Sequence, residues 1–350
     1  MDILNNAIIT NDCIRASVDV SEEELQIFCV ENGDMLFQRS SETLEDVGRA
    51  NVYMDDKPAV FGGFVIRGKK KAEYNPLFFR YLLASPFARK KIIPMGAGAQ
   101  HFNIGQEGLN RVKLHFASLD EQKKIAKILS LLDERIATQS KIIEDLKKLK
   151  SAIIEKHYRQ AEKQTVCIAD LGEHFSVDNL AKDDLSETGT PCILYGELFT
   201  TYGETISQIE SRTNKTGGMV LSKKGDLLFP SSTTVDAVSL IAPSVINIDN
   251  VVLGGDMFGI HINFNFDAQY LSYFFNHIAK RRLAKYAKGS TIIHLHYADI
   301  EKAKLLLPCL KEQHRMAKCL VSLDDKINIE TLSLNLLNNQ KTYLLRHMFI

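Results

Sequence analysis

The sequence predicts an α+β protein in which two strand-rich globular domains alternate with two long helices that pair as an antiparallel coiled coil. The first observation is a repeat: residues 119–136 (LDEQKKIAKILSLLDERI) return as residues 310–327 (LKEQHRMAKCLVSLDDKI). The second is a heptad pattern of apolar residues in both copies, and the third is a fainter repeat in the segments upstream. A repeat of this extent makes the chain two versions of one unit.

The repeated segments predict long helices. Alternate steps of four and three residues select an almost continuous apolar seam, which is typical of a coiled coil. Neither stretch contains Pro or Gly, which would interrupt a helix. The seam positions are Ile125, Leu129, Leu132, Ile136, Gln139, Ile143, Leu146, Lys150, Ile153 and His157 in the first copy, and Met316, Leu320, Leu323, Ile327, Glu330, Leu334, Leu337, Lys341, Leu344 and Met348 in the second.

Polar residues interrupt the two seams at matching places. Gln139 corresponds to Glu330, and Lys150 corresponds to Lys341. Buried polar seam residues fix the register of paired helices at a cost in stability. We interpret these residues as register marks, with partial exposure on a frayed seam as the alternative.

The segments upstream of each helix predict a strand-rich domain, because short β-branched and aromatic runs alternate with Gly, Asp, Asn and Ser clusters. GDMLFQRSS (33–41) corresponds to GDLLFPSST (225–233), and VFGG (60–63) to VLGG (252–255). Aromatic helix-like runs and Gly-containing loops follow in both copies. The predicted organisation is a first domain at 1–118, a first helix at 119–162, a second domain at 163–309 and a second helix at 310–350.

At the start of each helix the motif EQ-(K/R)-(I/M)-A, closed by Leu-Asp-acid-base-Ile, resembles the specificity subunits of type I restriction–modification enzymes. GTPCILYGEL (189–198) and LLLPCLKEQ (305–313) are similar to other parts of that family. The resemblance covers essentially the whole chain.

The resemblance implies a subunit that reads DNA without catalysing a reaction. Two target recognition domains would each read one half of a bipartite site in double-stranded DNA. The two helices would act as a spacer and bind two modification subunits, which methylate adenine with S-adenosylmethionine. Restriction subunits that use ATP and Mg²⁺ would complete the enzyme, so no cofactor is expected in this chain.

The first domain departs from the family pattern. GDMLF begins at Gly33, whereas about 60 residues separate Lys163 from GDLLF. We expect the first recognition domain to be truncated at its amino terminus, or its opening strand to be supplied from elsewhere.

Three basic runs are candidate phosphate contacts, although a net charge of zero argues mildly against DNA binding. Such contacts fix position on DNA without reading its sequence. The alternative is a solvated helix face. The candidates are Arg67, Lys69, Lys70, Lys71, Arg281, Arg282, Lys285 and Lys288, with a further run at 88–91.

Base reading requires directed donors and acceptors, and these are expected on the loops. The alternative is that the hydroxyl groups only satisfy turn backbone. The candidates are Arg39, Ser40 and Ser41 after GDMLF, Ser231, Ser232, Thr233 and Thr234 after GDLLF, Gln100 and His101 in the first Gly loop, and Ser290, Thr291 and His294 in the second.

Apolar residues beside the first seam are candidates for partner docking. They widen the apolar stripe beyond the need of two helices, and so wide a stripe suits a bundle that includes partner helices. These residues are Ile128, Leu131, Ile142 and Leu149.

Other function classes find little support in the sequence. Asn75-Pro76-Leu77-Phe78 only approaches an adenine-methyltransferase loop, so Asn75 and its counterpart Asp267 are predicted to be helix N-caps. There is no Walker phosphate loop, the six cysteines are scattered, and His294 with His296 has no third ligand nearby, so no metal site is predicted. No apolar run suits a membrane span, and a cytoplasmic location is expected. The remaining alternatives are a coiled-coil scaffold or adaptor without DNA reading and a stand-alone DNA methyltransferase.

Overall fold

The computed structural model describes residues 2–349. The chain divides into two compact units, and the division passes through both long helices. Unit 1 contains the chain up to Ile142 and from Glu330 onward, and unit 2 is Ile143–Ile329. Each unit therefore combines a globular domain with one segment of each long helix.

The globular part of unit 1 is made of short elements. Its strands are β1 (Cys29–Val30), β2 (Met35–Gln38), β3 (Ser40–Ser41), β4 (Ala50–Val52), β5 (Ala59–Val60), β6 (Val65–Gly68) and β7 (Phe102–Asn103). Its helices are α1 (Asp2–Asn5), α2 (Glu22–Phe28), α3 (Pro76–Ala84), α4 (Pro86–Ile92) and α5 (Gln106–Arg111), with 3₁₀ turns at Asn11–Cys13 and Ile93–Met95.

A three-stranded antiparallel sheet in the order β4-β2-β6 forms the centre of unit 1. Val52 and Ile66 from this sheet pack in one cluster with Leu83, Ile92 and Ile104. All five side chains are less than one tenth exposed. Burial of an aliphatic side chain stabilises a fold by roughly 1.5–3 kcal/mol, so this cluster holds the sheet against the two helices.

The first long helix, α6, is Leu119–Gln160. The strands of unit 2 are β8 (Gln164–Cys167), β9 (Gly172–Ser176), β10 (Leu185–Leu194), β11 (Thr205–Ile206), β12 (Ser211–Thr213), β13 (Val220–Leu221), β14 (Asp226–Pro230), β15 (Ser232–Thr233), β16 (Ser244–Ile246), β17 (Val252–Gly254), β18 (Met257–Ile262), β19 (Ile293–His294) and β20 (Lys304–Leu307). The helices of this unit are α7 (Glu197–Thr200), α8 (Ala237–Leu240), α9 (Ala268–Phe274), α10 (Lys280–Leu283) and α11 (Tyr297–Ile300). Short 3₁₀ turns lie at Ile168–Leu171, Lys182–Asp184 and Ala284–Tyr286, and a π-helical turn at Phe275–Ala279. The second long helix, α12, is Leu310–His347.

Unit 2 has a larger sheet than unit 1. Five strands lie in the order β11-β16-β14-β18-β9, and a separate four-stranded sheet has the order β12-β10-β17-β13. In the core, the rings of Phe229 and Phe258 stack with centroids 5.0 Å apart, and Phe229 meets Phe275 edge to face. Aromatic pairs of this kind add to the stabilisation from burial.

The Gly-Asp motif before β2 and β14 forms the same turn in both units. Gly33 and Gly225 have positive φ angles of 89° and 92°, which glycine adopts without strain. Asp34 accepts a hydrogen bond from the Glu31 backbone nitrogen, and Asp226 accepts one from Lys223. The motif is therefore a structural turn that leads into the central strand.

The aromatic helices α3 and α9 begin in the same way. Asn75 accepts a hydrogen bond from the Phe78 backbone nitrogen, and Asp267 accepts one from Tyr270, which confirms both predicted N-caps. The glutamines of the two Glu-Gln motifs connect these aromatic helices to the starts of the long helices. Gln122 Oε1 accepts from the backbone nitrogen of Asn75, and Gln313 Oε1 accepts from that of Asp267, both at 3.0 Å.

The long helices pair in an antiparallel manner within each unit. In unit 1, Asp133 and Gln139 of α6 meet Lys341 and Glu330 of α12, so the order of partners is reversed. In unit 2, Lys150 and His157 of α6 meet Asp324 and Glu312 in the same reversed order. Every predicted seam residue is buried or half-buried.

The matched polar residues of the seams make specific contacts. In unit 1, Gln139 Nε2 donates to the backbone oxygen of Glu330 at 3.0 Å and also to the Glu330 carboxylate. Lys341 lies 2.5 Å from Asp133, which also accepts a hydrogen bond from the Tyr81 hydroxyl at 2.8 Å. Arg80 approaches the same carboxylate at 3.5 Å.

Unit 2 has the equivalent lysine–aspartate–tyrosine cluster with an additional acid. Lys150 lies 2.6 Å from Asp324 and 3.1 Å from Glu204, and Tyr273 donates to Asp324 at 2.6 Å. Burial raises the pKa of Glu204, but the hydrogen bond from His277 and the charge of Lys150 outweigh it and lower the pKa to about 2. Burial and the Asp324 contact raise the pKa of Tyr273 well above its usual range.

Candidate nucleic-acid interface

Two loops that the sequence singled out separately meet in unit 1. Strands β3 and β7 pair antiparallel, with Ser40 opposite Asn103 and Ser41 opposite Phe102. We call this pair of strands, together with the turn at residues 98–101 that leads into β7, the unit 1 ribbon. Ser40 Oγ donates to Asn103 Oδ1 at 2.5 Å. The predicted Ser-Ser and Gly-loop clusters therefore form one polar surface.

Unit 2 contains the same arrangement. Strands β15 and β19 pair antiparallel, with Ser232 opposite His294 and Thr233 opposite Ile293, and together with the turn at residues 289–292 they form the unit 2 ribbon. Backbone hydrogen bonds in both directions join Lys288 to His294, at 2.9 Å and 2.7 Å. The basic run that ends at Lys288 therefore leads directly into the ribbon.

A glycine forms the tight turn at the tip of each ribbon. Gly98 and Gly289 have φ angles of 142° and 117°. A Cβ atom on either would lie 2.0 Å from a backbone oxygen, that of His101 or Ile292. The tips projecting from these turns are exposed and carry the predicted residues Gln100, His101, Ser290 and Thr291.

Not every predicted base-reading residue is accessible. Ser231 and Ser232 are only 4% and 5% exposed, so their hydroxyl groups are poorly placed for contact with a base. Thr233 is half-buried, whereas Thr234 and Arg39 are exposed. The Arg39 guanidinium lies 3.4 Å from the backbone oxygen of Gly63.

The predicted phosphate contacts differ in their availability. The Arg67 side chain is 11% exposed and lies 2.6 Å from the buried Asp34 and 3.2 Å from Glu31, so it stabilises unit 1 and is a poor phosphate ligand. Lys69 also contacts Glu31, and Lys288 contacts Asp299. Lys70, Lys71, Arg281, Arg282 and Lys285 are also exposed.

A cleft of about 830 Å³ lies beside the unit 2 ribbon. Its lining includes the ribbon residues Thr233 and His294, the basic Lys280 and the acidic Asp256. The sequence analysis did not include Asp256 among the candidate base-reading residues. In unit 1 it also left out Asn103 and the exposed Phe64. The repeat between the two units was the available signal, because it aligns Phe64 with Asp256 and Asn103 with His294.

The predicted docking residues of α6 are exposed. Ile128, Leu131, Ile142 and Leu149 are 51%, 53%, 39% and 49% exposed, although the neighbouring seam residues are buried. Helix α12 carries further exposed apolar residues that the sequence interpretation did not include: Ile329, Leu332, Leu336 and Tyr343.

Residues 2–349 contain neither a candidate metal site nor a candidate membrane-spanning helix. Across residues 2–349 no three His, Cys, Asp or Glu side chains are grouped so that they could hold a metal ion. No helix in this part of the chain combines the length and apolar character needed to cross a membrane.

Comparison with protein families gives a match over most of the chain. The model of the type I restriction modification DNA specificity domain matches residues 3–148 and 160–339. The two matched ranges correspond to the two copies of the repeat.

Two curated relatives come from Methanocaldococcus jannaschii. A protein named as the type I restriction enzyme MjaX specificity subunit is 25% identical over 335 residues, covering 89% of this chain and 76% of the relative. The type I restriction enzyme MjaVIII specificity subunit is 26% identical over 280 residues, covering 73% of this chain and 64% of the relative.

Two solved structures share the fold. The S subunit of a type I restriction–modification system from M. genitalium has a TM-score of 0.58 at 16% identity, covering 92% of this chain and 84% of that one. A chain from a structural study of type I R-M complex assembly and conformational transition has a TM-score of 0.57 at 15% identity, covering 91% and 81%. Because the family model matches nearly the full length, the chain belongs to the type I restriction modification DNA specificity domain family and is a DNA specificity subunit without catalytic activity of its own.

Proposed function

We propose that each unit reads one half of a bipartite site in double-stranded DNA through its ribbon, while the long helices hold two methyltransferase subunits. The main support is that strand pairing in each unit brings together two polar clusters that the sequence predicted separately. Both clusters lie on one ribbon, and its tip is exposed. A two-stranded ribbon is narrow enough to enter the major groove, where each base pair presents a distinct pattern of donors and acceptors. In this proposal residues 1–118 and 163–309 are the recognition domains, and residues 119–162 and 310–350 are the spacer helices.

Phosphate contacts would come from exposed basic residues in both units. Arg281, Arg282 and Lys285 precede the unit 2 ribbon on α10 and the following turn, and Lys70 and Lys71 follow β6 in unit 1. Such side chains position a protein on DNA and make its affinity fall with salt. The overall charge of zero does not oppose this, because these basic groups are concentrated in a few segments.

The chemistry would be supplied by partners. Methyltransferase subunits carrying S-adenosylmethionine would modify adenine, and restriction subunits with ATP and Mg²⁺ would cut DNA in the same cytoplasmic complex. The exposed Ile128, Leu131, Ile142 and Leu149 support docking of the methyltransferase subunits, since two helices alone leave these side chains in water.

Arg39→Ala tests DNA reading in the complex with the methyltransferase subunits. We expect weaker binding to duplexes with the correct first half-site and little change for mismatched duplexes, measured by fluorescence anisotropy at several salt concentrations. Arg111→Ala is the control, because Arg111 is exposed in the same unit but lies on α5. Equal loss on both kinds of duplex would assign Arg39 to phosphate contact. Failure of the unaltered complex to bind DNA would favour the scaffold interpretation.

Leu131→Glu combined with Ile142→Glu tests docking. Both side chains are exposed in the free chain, so the double variant is expected to fold normally and to lose capture of the methyltransferase subunits in size-exclusion chromatography. Lys127→Glu, an exposed change on the same helix, serves as the control. Capture by the double variant would place the docking surface elsewhere.

A further inference from the structure

One position beside the ribbon differs in chemistry between the two units. Phe64 and Asp256 each follow the Gly-Gly pair that precedes β6 or β18. The backbone oxygen of Phe64 accepts a hydrogen bond from the backbone nitrogen of Arg39 at 2.9 Å. The backbone oxygen of Asp256 accepts one from the backbone nitrogen of Ser231 at 2.7 Å. The two residues therefore occupy equivalent places next to the start of their ribbons.

The Asp256 carboxylate is accessible, and its ion-pair partner is His294 on the unit 2 ribbon. Its side chain is 45% exposed and lies 4.0 Å from His294 Nδ1, which is beyond hydrogen-bonding distance. Within residues 2–349 no hydrogen bond uses its side-chain oxygens. It lines the same cleft as Thr233, Lys280 and His294, so a group that reaches the unit 2 ribbon also reaches Asp256.

A carboxylate on a DNA-contacting surface restricts which groups of the DNA can lie against it. It repels phosphate oxygens, and as an ionised group it accepts hydrogen bonds without donating any. In the major groove the available donors are the N4 amino group of cytosine and the N6 amino group of adenine. Asp256 is therefore suited to an amino-bearing base edge and to no other part of the duplex.

Phe64 offers the opposite chemistry in unit 1. Its side chain is 77% exposed, so the ring is free to contact a partner. A phenyl ring can contact the thymine methyl group in the major groove or wedge between base steps. Neither contact requires an amino group on the base.

We propose that position 64 in unit 1 and position 256 in unit 2 determine sequence specificity. Asp256 selects cytosine or adenine by its amino group at one base pair of the half-site read by unit 2. Phe64 makes an apolar base contact in the half-site read by unit 1. This inference rests on the proposed DNA-reading function and adds the class of base that each unit recognises.

The test uses the complete complex with its methyltransferase subunits and a set of duplexes in which each base pair of both half-sites is changed singly. For Asp256→Asn we expect discrimination to fall about tenfold or more at one base pair of the unit 2 half-site, with the other base pairs unaffected. Asp256→Glu, which keeps the charge but lengthens the side chain, should alter discrimination at the same base pair. Phe64→Ala should lower discrimination at one base pair of the other half-site.

Asp183→Asn is the control, because it removes an exposed carboxylate of unit 2 outside the cleft. A uniform change in affinity for all duplexes in the Asp256 variants, in either direction, would overturn the proposal. An unchanged discrimination profile would do the same. If the unaltered complex distinguishes no base pair, the proposed DNA-reading function itself fails, which is a separate result.

Discussion

Units 1 and 2 use the same contacts at their helices and different side chains on their ribbons. Both units have a buried glutamine at the start of a long helix, an N-capped aromatic helix, and a lysine–aspartate–tyrosine cluster. On the ribbons, Asn103 corresponds to His294, and Phe64 corresponds to Asp256. Contacts that serve the same structural purpose in both units have stayed alike, whereas surfaces that would read different bases have diverged.

The clusters themselves are not identical. In unit 1, Arg80 adds a second positive charge near Asp133. In unit 2, Glu204 adds a second negative charge near Lys150 and is itself bound by His277. Loss of the lysine should therefore have unequal consequences in the two units.

The largest expected effect is that of Lys150→Met. It removes the shared cation from two partly buried carboxylates, Asp324 and Glu204, and the loss of one partner from a buried ion pair costs roughly 3–5 kcal/mol. Lys341→Met should cost less, because Arg80 remains near Asp133. Urea unfolding with hydrogen exchange resolved by unit would measure both. Lys156→Met, exposed on α6, is the control, and equal losses in the two units would contradict this reasoning.

A smaller effect is expected from acid. The folded pKa of Glu204 is about 2 against a usual value of 4.5, so its stabilisation is complete above about pH 4.5 and is lost as the pH falls toward 2. A shift of this size corresponds to roughly 3 kcal/mol. The free energy of unfolding of unit 2 should fall between about pH 4.5 and about pH 2. Glu204→Gln should flatten that dependence, and an equally steep curve for the variant would assign the acid sensitivity to other groups.

The smallest effect concerns the ribbon tips, which should respond alike. Gly98→Ala and Gly289→Ala each place a Cβ against a backbone oxygen at positive φ, and such local strain costs on the order of 1–3 kcal/mol. We expect faster amide exchange in the affected tip and weaker DNA binding by the complex. Gly105→Ala and Gly217→Ala are matched controls, since nothing lies within 4 Å of their Cβ positions. A tip that tolerated alanine would show that its turn can rearrange.

Local patterns in the sequence predicted the helices well. The four-three seam of α6 and α12 and the N-caps Asn75 and Asp267 depend on residues close together in the chain, so periodicity and capping rules apply to them directly. The same comparison of repeats aligned the motifs before each ribbon. These features required no knowledge of distant contacts.

Contacts between distant parts of the chain were not predictable in this way. Lys150 was interpreted as a register mark, but its partner Asp324 lies 174 residues further along. Ser232 and Arg67 were chosen by residue type, and the structure buries both, because strand pairing decides which side of a strand faces the core. Asp256 was not chosen, since a single acid next to a Gly-Gly pair has no distinctive local pattern, and only its alignment with Phe64 in the other copy of the repeat marks the position.

One glutamine in each unit links the globular domain to the start of a long helix. Gln122 and Gln313 accept hydrogen bonds from the backbone nitrogens of Asn75 and Asp267, and donate to the carbonyl oxygens of Ala117 and Pro308 just before the long helices. The backbone amide protons of Asn75 and Asp267 are therefore hydrogen-bonded when each globular domain is packed against its long helix. Their exchange with deuterated solvent could follow any loosening or tightening when a partner binds, separately for the two halves of the molecule.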